Sequence, residues 1–225
     1  MSVDLIIVGA IIQNKTMIDK AINSCPVYDY NNKFICLDGC PKNKDNIEYQ
    51  EYITNLKENY KDYTFICFDE NIYFREMIKS IALKSQADKL LVIQDDVIVN
   101  YMNLGALVDD MNSIKDMKVL CFWHRPIDNE FSHHWLDIIE TNGDYVKSHG
   151  WTERVFLCDK LAILNMCNYD NPTKNTKRFL EAIYHREKNL VSWKQSNEEY
   201  KLDYWKSMGT YIHRNITHKH QVGKR

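Results

Sequence analysis

The sequence lacks the glycine-rich loops with which the commonest nucleotide-binding folds hold phosphate. Only seven of its 225 residues are glycine. Gly9 follows the first apolar run but does not open a GxGxxG motif, which disfavours a dinucleotide site of the dehydrogenase kind. No GxxxxGK[ST] loop and no GxSxG nucleophile elbow occurs either. A phosphate-containing ligand therefore needs another anchor, and a metal held by carboxylates could supply it.

Long apolar runs and strong net charge are also missing. No run approaches the ~20 residues that span a bilayer, and Asp4 interrupts the first apolar run with no basic segment before it. We therefore expect neither a transmembrane span nor a signal peptide. The formal net charge of −2 does not indicate a nucleic-acid-binding surface. The seven cysteines show no CxxC spacing, so reduced thiols in a cytoplasmic protein are expected.

Apolar runs alternate with helical patterns over the first half of the chain. The predicted strands are 3–10, 34–37, 64–68, 90–93 and 119–123, with amphipathic helices between them. This order predicts an α/β fold with an open, mostly parallel, twisted sheet flanked by helices. In the second half we expect loops over a cleft at 124–153, strands at 154–158 and 210–216, and helices at 176–188 and 198–208.

Two adjacent carboxylates, Asp95 and Asp96, interrupt an apolar run that reads KLLVIQDDVIV from residue 89. Unpaired acids beside a core cost free energy, so the pair suggests a bound cation or an active-site cleft. Mg²⁺ and Mn²⁺ suit such oxygens and often keep phosphates as further ligands. Asp38 and Asp69 also fall at the carboxyl ends of predicted strands, where sheets of this class bind ligands. The sequence therefore predicts a metal-dependent enzyme acting on a nucleotide diphosphate, with a nucleotide-sugar favoured.

Residues 79–96, KSIALKSQADKLLVIQDD, resemble the helix–strand–acid module of family-2-like, GT-A-fold nucleotide-sugar glycosyltransferases. The order of elements is similar over residues 1 to about 125. The chain departs from the family in having Gln94-Asp95-Asp96 for Asp-x-Asp and Lys79-Ser80 for the helix Arg-Asn. Its Lys/Asn/Tyr-rich composition and histidine-containing ending also resemble small transferases of large DNA viruses that build capsid glycans.

The resemblance implies one GT-A domain over 1–225, with a nucleotide-sugar-binding half at 1–123 and an acceptor-binding half at 124–225. The implied cofactor is Mn²⁺ or Mg²⁺, and the partners are a nucleotide-sugar, UDP-linked by preference, and a glycan acceptor. Asp96 is the first choice for metal ligand, while Asp95 would face the donor sugar or ribose. His218 or His220 would be a further ligand, with His218 favoured.

The resemblance also assigns the remaining donor contacts. Gly9 and Ala10 would lie against the base or ribose. Asp38 and Asp69 would contact the base. Lys79 or Arg75 could pair with phosphate oxygens, and Lys219, with Lys224 and Arg225, could close over the diphosphate as a mobile tail.

An inverting transfer needs a base for the acceptor hydroxyl. Glu153 is the first choice, because Trp151 beside it could stack a sugar ring, and Asp128 is close behind. Glu130 and Asp144 remain alternatives. A nucleotidyltransferase is disfavoured by the absence of a glycine-rich loop after the first strand, and a non-catalytic nucleotide- or sugar-binding module is the other alternative.

Overall fold

The computed structural model of the chain describes residues 1–10, 17–39, 47–127, 138–148, 152, 154–168 and 209–221. The strands of this part are β1 (Val3–Ala10), β2 (Asn32–Asp38), β3 (Thr64–Cys67), β4 (Lys89–Gln94), β5 (Val97–Val99), β6 (Val119–Trp123), β7 (Ile138–Asn142), β8 (Tyr145–Ser148), β9 (Val155–Asp159) and β10 (Thr210–His220). The helices are α1 (Met17–Asn23), α2 (Ile47–Asn59), α3 (Tyr73–Lys84), α4 (Leu104–Ser113) and α5 (Lys160–Asn168).

The strands form one mixed sheet in the order β3-β2-β1-β4-β9-β6-β10-β8-β7, and β5 pairs with β10 outside this path. β9 is antiparallel to both of its neighbours, β4 and β6, and β8 is antiparallel to β7 and β10. The other strands on the path all run in one direction. The predicted fold class, an open and mostly parallel α/β sheet with flanking helices, is confirmed.

Apolar side chains cover both faces of the sheet, as expected for strands that read as continuous apolar runs. On one face, Ile6 and Val8 of β1 pack in a cluster with α3 and α5. On the other face, Leu5 and Ile7 pack with α1, α2 and α4. In the described part of the chain both faces are therefore covered by helices, and sheets of this class bind ligands at the edge where the parallel strands end.

The first five predicted strands are confirmed, but the prediction of loops over 124–153 is wrong for residues 138–148. These residues form a β-hairpin, β7–β8, which pairs with β10. Gly143 in its turn has a φ of 57°, and Asn142-Gly143 is a common hairpin signal. β10 also runs to His220 rather than ending at 216, and α5 follows β9 directly, where no helix was predicted.

The boundary proposed at 123 does not divide the sheet, because β9 from the second half lies between β4 and β6 of the first. The assignment of the two halves to donor and acceptor stays a prediction. The predicted helices at 176–188 and 198–208 lie outside the described residues. None of the helices in the described part is long and apolar enough to cross a membrane.

Candidate functional site

Asp95 lies directly after β4, at the carboxyl edge of the sheet. Its backbone N–H donates to the carbonyl of Val8 at 2.9 Å, which fixes it against β1. A β-carbon built on Gly9 would stand 2.9 Å from Asp95 Oδ2, so the carboxyl group occupies space that a side chain at Gly9 would fill. Burial, and then the neighbouring charge of Asp96, raises the pKa of Asp95 to about 7. The group is thus poised between a protonated and an ionised carboxyl near neutral pH.

Asp96 uses its two carboxylate oxygens differently. Oδ2 lies 2.7 Å from Nε2 of His220. Oδ1 is buried and has no hydrogen-bond partner within the described residues. The Asp96 carbonyl accepts a hydrogen bond from the backbone N–H of Gln221 at 2.7 Å. Since a buried oxygen without a partner costs about 1–3 kcal/mol, Oδ1 is a site where a bound group would gain free energy.

His218 is almost fully buried, with 2% of its surface exposed. Its Nδ1 lies 2.8 Å from the carbonyl of Phe122, and because a carbonyl only accepts, Nδ1 carries the hydrogen. Burial lowers the pKa of His218 to about 4, although the contact with Phe122 opposes this. The ring is therefore neutral at pH 7. Its Nε2 lone pair is buried and has no hydrogen-bond partner in the described part of the chain.

β10 changes partner along its length, and this places His220 against Asp96. Its first part pairs with β6 and β8, and its last part pairs with β5, placing His218 opposite Val99 and His220 opposite Val97. An irregularity between His213 and Thr217 interrupts the pairing with β6, which resumes at Thr217 just before the pairing with β5 begins. There the Nδ1 atom of His213 accepts the backbone N–H groups of Asn215 and Ile216 at 3.1 and 3.0 Å.

Asp38 is buried at the end of β2 and accepts three backbone hydrogen bonds. Its Oδ1 accepts from the N–H groups of Gly39 and Ile72, at 3.0 and 2.7 Å, and its Oδ2 accepts from that of Tyr73, at 3.2 Å. Burial raises the pKa of Asp38 in spite of these donors. The carboxylate thus fixes the start of α3, and a contact with a base, which stays a prediction, would have to share Oδ2. Asp69 is exposed in the loop after β3, so its base contact also stays a prediction.

The basic candidates are not all near the aspartate pair. Arg75 lies between α3 and α5, where its Nε donates to the carbonyl of Cys167 at 2.7 Å. Lys79 lies one turn after Arg75, roughly 9 Å along α3 from its first residue. Since α3 leads away from the carboxyl edge of the sheet, Lys79 is further from that edge than the start of the helix. Lys219 is exposed on β10, opposite Ile98. Phosphate contacts by Lys79 and Lys219 stay predictions. The expectation of a mobile tail is wrong for Lys219, because that residue belongs to a paired strand.

Several candidates fall outside the described residues. These are Glu153, Asp128, Glu130, Trp151, Lys224 and Arg225, as well as the side chain of Ala10. Asp144 is described, and it is exposed in the β7–β8 turn, where its carbonyl accepts from the N–H of Arg214 at 2.8 Å and its Oδ1 from Asn215 at 3.1 Å. The identity of the catalytic base stays a prediction.

The fit of the site to a divalent cation rests on buried atoms that lack a hydrogen-bond partner among the described residues: Asp96 Oδ1, His218 Nε2 and Gln221 Oε1. Among the described residues, no three His, Cys, Asp or Glu side chains are gathered closely enough to hold a metal by themselves. Asp96 Oδ1 and His218 Nε2 are nevertheless the carboxylate and neutral imidazole donors that Mn²⁺ accepts. In nucleotide-binding sites, Mg²⁺ and Mn²⁺ are often held by two protein ligands, and substrate phosphates and water complete the coordination.

Gln221 is the residue of this region that the sequence did not indicate. Its backbone N–H bonds to the Asp96 carbonyl, its Nε2 donates to the carbonyl of Met17 at 3.2 Å, and it thereby joins β10 to the first residue of α1. A polar residue in a basic ending carries no signal of this role. For the placing of the histidines, the available signal was their spacing, since His218 and His220 are two residues apart and residues two apart share one side of a strand.

Comparison with known proteins supports the fold. No protein-family model matches the sequence, and no curated protein sequence matches it. Solved structures do: S. aureus TarS has a TM-score of 0.60 at 10% identity, covering 99% of this chain and 37% of TarS. A TarS 1–349 structure in complex with UDP has a TM-score of 0.57 at 9% identity, covering 97% of this chain and 59% of the other.

A structure of GalNAc-T7 with UDP, GalNAc and Mn²⁺ has a TM-score of 0.64 at 9% identity, covering 100% of this chain and 44% of GalNAc-T7. These neighbours are GT-A glycosyltransferases, and the fold of this chain is theirs. The chain spans between about a third and three fifths of the length of these neighbours. At such identities the likeness establishes the architecture.

Proposed function

We propose that the chain is a metal-dependent glycosyltransferase that moves a sugar from a nucleotide diphosphate, UDP by preference, to a hydroxyl group of a glycan. The observation that carries this proposal is the pair Asp95–Asp96 at the carboxyl edge of a GT-A sheet, with buried potential metal ligands on Asp96 and His218 that have no hydrogen-bond partner among the described residues. Two of the structural neighbours were solved with UDP, and one of these with Mn²⁺ as well.

In this proposal, Asp96 Oδ1 and His218 Nε2 hold the cation. When bound, the cation supplies positive charge that balances the diphosphate leaving group. The low pKa of His218 keeps its ring neutral, so the Nε2 lone pair is available at neutral pH without prior loss of a proton. The bond from Nδ1 to the Phe122 carbonyl holds the ring in that tautomer.

Asp95 has a different part in the proposal. Its half-buried carboxyl group, packed against Gly9, accepts a hydrogen bond from a hydroxyl group of the ribose or donor sugar. Such a ligand hydroxyl would favour the ionised carboxylate and so lower the pKa from about 7. Glu153 or Asp128 then serves as the base that takes the proton of the acceptor hydroxyl.

A thermal-shift experiment tests the donor site. UDP and GDP are added with and without Mn²⁺ to the wild type, to Asp96→Asn and to Asp62→Asn. Asp62→Asn is a matched control, because it makes the same substitution at an exposed carboxylate that is paired with Lys33. A Mn²⁺-dependent rise in Tm with UDP that is lost only in Asp96→Asn supports the proposal, because ligand binding stabilises the folded state by mass action. The absence of any shift with either nucleotide in the wild type contradicts it.

Product analysis separates the proposed function from its alternatives. A glycosyltransferase incubated with donor and Mn²⁺ slowly releases UDP by hydrolysis, even without acceptor. A nucleotidyltransferase releases pyrophosphate from a nucleoside triphosphate and a sugar phosphate, and a binding module releases neither. UDP release that Asp96→Asn abolishes and Asp62→Asn preserves is the expected result.

A further inference from the structure

The two histidines at the end of β10 carry their ring hydrogens on opposite nitrogens. His218 donates through Nδ1 to the Phe122 carbonyl, and its Nε2 lone pair has no partner in the part of the chain that the structure describes. His220 approaches Asp96 Oδ2 through Nε2 at 2.7 Å. An ionised carboxylate only accepts hydrogen bonds, so Nε2 of His220 carries a hydrogen and has no lone pair for a metal. The same strand therefore presents one imidazole suited to ligation and one suited to hydrogen bonding.

The His220 ring is held in its place from the backbone. His220 pairs with Val97 in the β5–β10 ladder. One residue further in the same register, the Gln221 N–H donates to the Asp96 carbonyl at 2.7 Å. The Gln221 side chain also reaches the Met17 carbonyl. The main chain that carries the imidazole is thus fixed to the aspartate that the imidazole contacts, which favours a permanent contact.

The contact also determines which oxygen of Asp96 is available. His220 occupies Oδ2, and the carboxylate then presents Oδ1, buried and without a hydrogen-bond partner in the described residues. The side chains of Asp96 and His220 are 33% and 38% exposed, so neither is fixed by burial alone. Without the imidazole, rotation of the carboxylate would be limited mainly by its own rotamer preferences.

We propose that His220 is a positioning residue: it orients Asp96 so that Oδ1 faces the cation, while His218 is the histidine that ligates. This inference rests on the proposed function, because it concerns the same metal site. Hydrogen-bond partners that orient a metal ligand typically contribute about 10–100-fold in metal affinity, and we expect that loss when the His220 imidazole is removed.

The test is Mn²⁺ binding measured by EPR on the wild type, His220→Leu, His220→Gln and His218→Leu. Free Mn²⁺ gives the affinity, and pulsed EPR of the bound ion counts the imidazole nitrogens coupled to it. We expect one coupled imidazole in the wild type and in His220→Leu, with affinity about 10–100-fold weaker in the latter. His220→Gln, whose amide N–H can reach Asp96, should recover most of the affinity, and His218→Leu should lose the coupled nitrogen.

Two results overturn the inference while leaving the proposed function intact. One is a wild-type protein with two coupled imidazoles, of which His220→Leu loses one, since His220 would then be a ligand. The other is unchanged Mn²⁺ affinity in His220→Leu. If the wild type binds no Mn²⁺ either alone or with UDP, the metal-dependent function and the inference fail together. Thermal unfolding of each variant shows that any loss of affinity occurs in a folded protein.

Discussion

Gly9 and Asp95 are in such close contact that a single added methyl group at residue 9 would stand 2.9 Å from Asp95 Oδ2. The same β-carbon would also stand 2.9 Å from Cδ2 of Leu37. β-carbons in proteins essentially never lie within 3.0 Å of another heavy atom, so Asp95 or Leu37 would have to shift. The glycine thus leaves the space in which the half-buried Asp95 carboxyl group lies.

We expect Gly9→Ala to displace Asp95 and to weaken UDP binding while the protein still folds. The measurement is the UDP- and Mn²⁺-dependent change in Tm for Gly9→Ala beside that of the wild type. Gly105→Ala is the matched control, since a β-carbon there meets only Asn103 Oδ1, at an ordinary 3.5 Å. That control should keep the full ligand shift, and its stability should change by less than about 1 kcal/mol. Normal UDP binding by Gly9→Ala would show that the position of Asp95 is not needed.

Asp38→Ala should destabilise the protein, because the N–H group of Ile72 before α3 loses its side-chain acceptor, and those of Gly39 and Tyr73 each lose one of two acceptors. We expect the free energy of unfolding to fall by about 1–3 kcal/mol. Urea denaturation monitored by circular dichroism measures it. Asp69→Ala, a nearby exposed carboxylate, serves as control and should change stability by less than about 0.5 kcal/mol. Equal effects from the two substitutions would argue against the role of Asp38 at α3.

His213 should make stability depend on pH. Burial lowers the pKa of His213 from its usual 6.5, although Asp144 and Asp110 oppose the shift, and Nδ1 must stay unprotonated to accept two N–H groups. Below pH 6.5 the unfolded chain binds a proton at His213 more readily than the folded protein does. The contribution of His213 to the free energy of unfolding is therefore complete above pH 6.5. It is lost as pH falls towards the folded pKa, by up to about 1.4 kcal/mol per pH unit.

His213→Asn is the variant that tests this dependence, since its side-chain oxygen accepts as Nδ1 does but does not titrate. Urea denaturation of both proteins between pH 7.5 and pH 4.5 gives their difference in stability, from which the other titrating groups, His218 included, largely cancel. We expect that difference to change in favour of Asn as the pH falls. A difference that stays constant across the series would contradict the assignment.

Arg75 should contribute to stability and not to donor binding. Its Nε donates to the carbonyl of Cys167, near the end of α5, where the last carbonyls of a helix lack intrahelical partners. Arg75→Met should lower stability by about 1–3 kcal/mol and leave the UDP-dependent rise in Tm unchanged. Lys79→Met, one turn later on the same helix, is the comparison: stability should hold, and the UDP shift should fall if Lys79 contacts phosphate. The reverse result for the pair would place Arg75 at the donor.

The sequence predicted the first half of the fold well, because β1, β4 and β6 are continuous apolar runs buried on both faces and cannot be confused with loops. The hairpin β7–β8 was missed because its strands carry polar residues such as Glu140, Thr141 and Lys147, and only Asn142-Gly143 marked it. The sequence predicts a tail at the end of β10 for the same reason. Its polar residues are fixed by pairing with β5, a contact that no local pattern encodes.

The candidate site shows the same division. Asp95 and Asp96 were evident, because two acids after a buried strand conflict with local preference unless a function requires them. The different surroundings of His218 and His220 could not be predicted, since the two residues lie two apart in the sequence and share one side of β10. Their burial, 2% exposed for one residue and 38% for the side chain of the other, depends on how β10 crosses from β6 to β5.

The contact between Asp96 and His220 joins residues 124 positions apart in the chain, and this has a kinetic consequence. Contacts that close long loops generally form late in folding. A folding intermediate in which β1 to β4 are already ordered would have both aspartates in place but no imidazole beside them. Binding of UDP with Mn²⁺ would then begin only when β10 docks, and the rate at which refolding protein acquires donor affinity would report that last step.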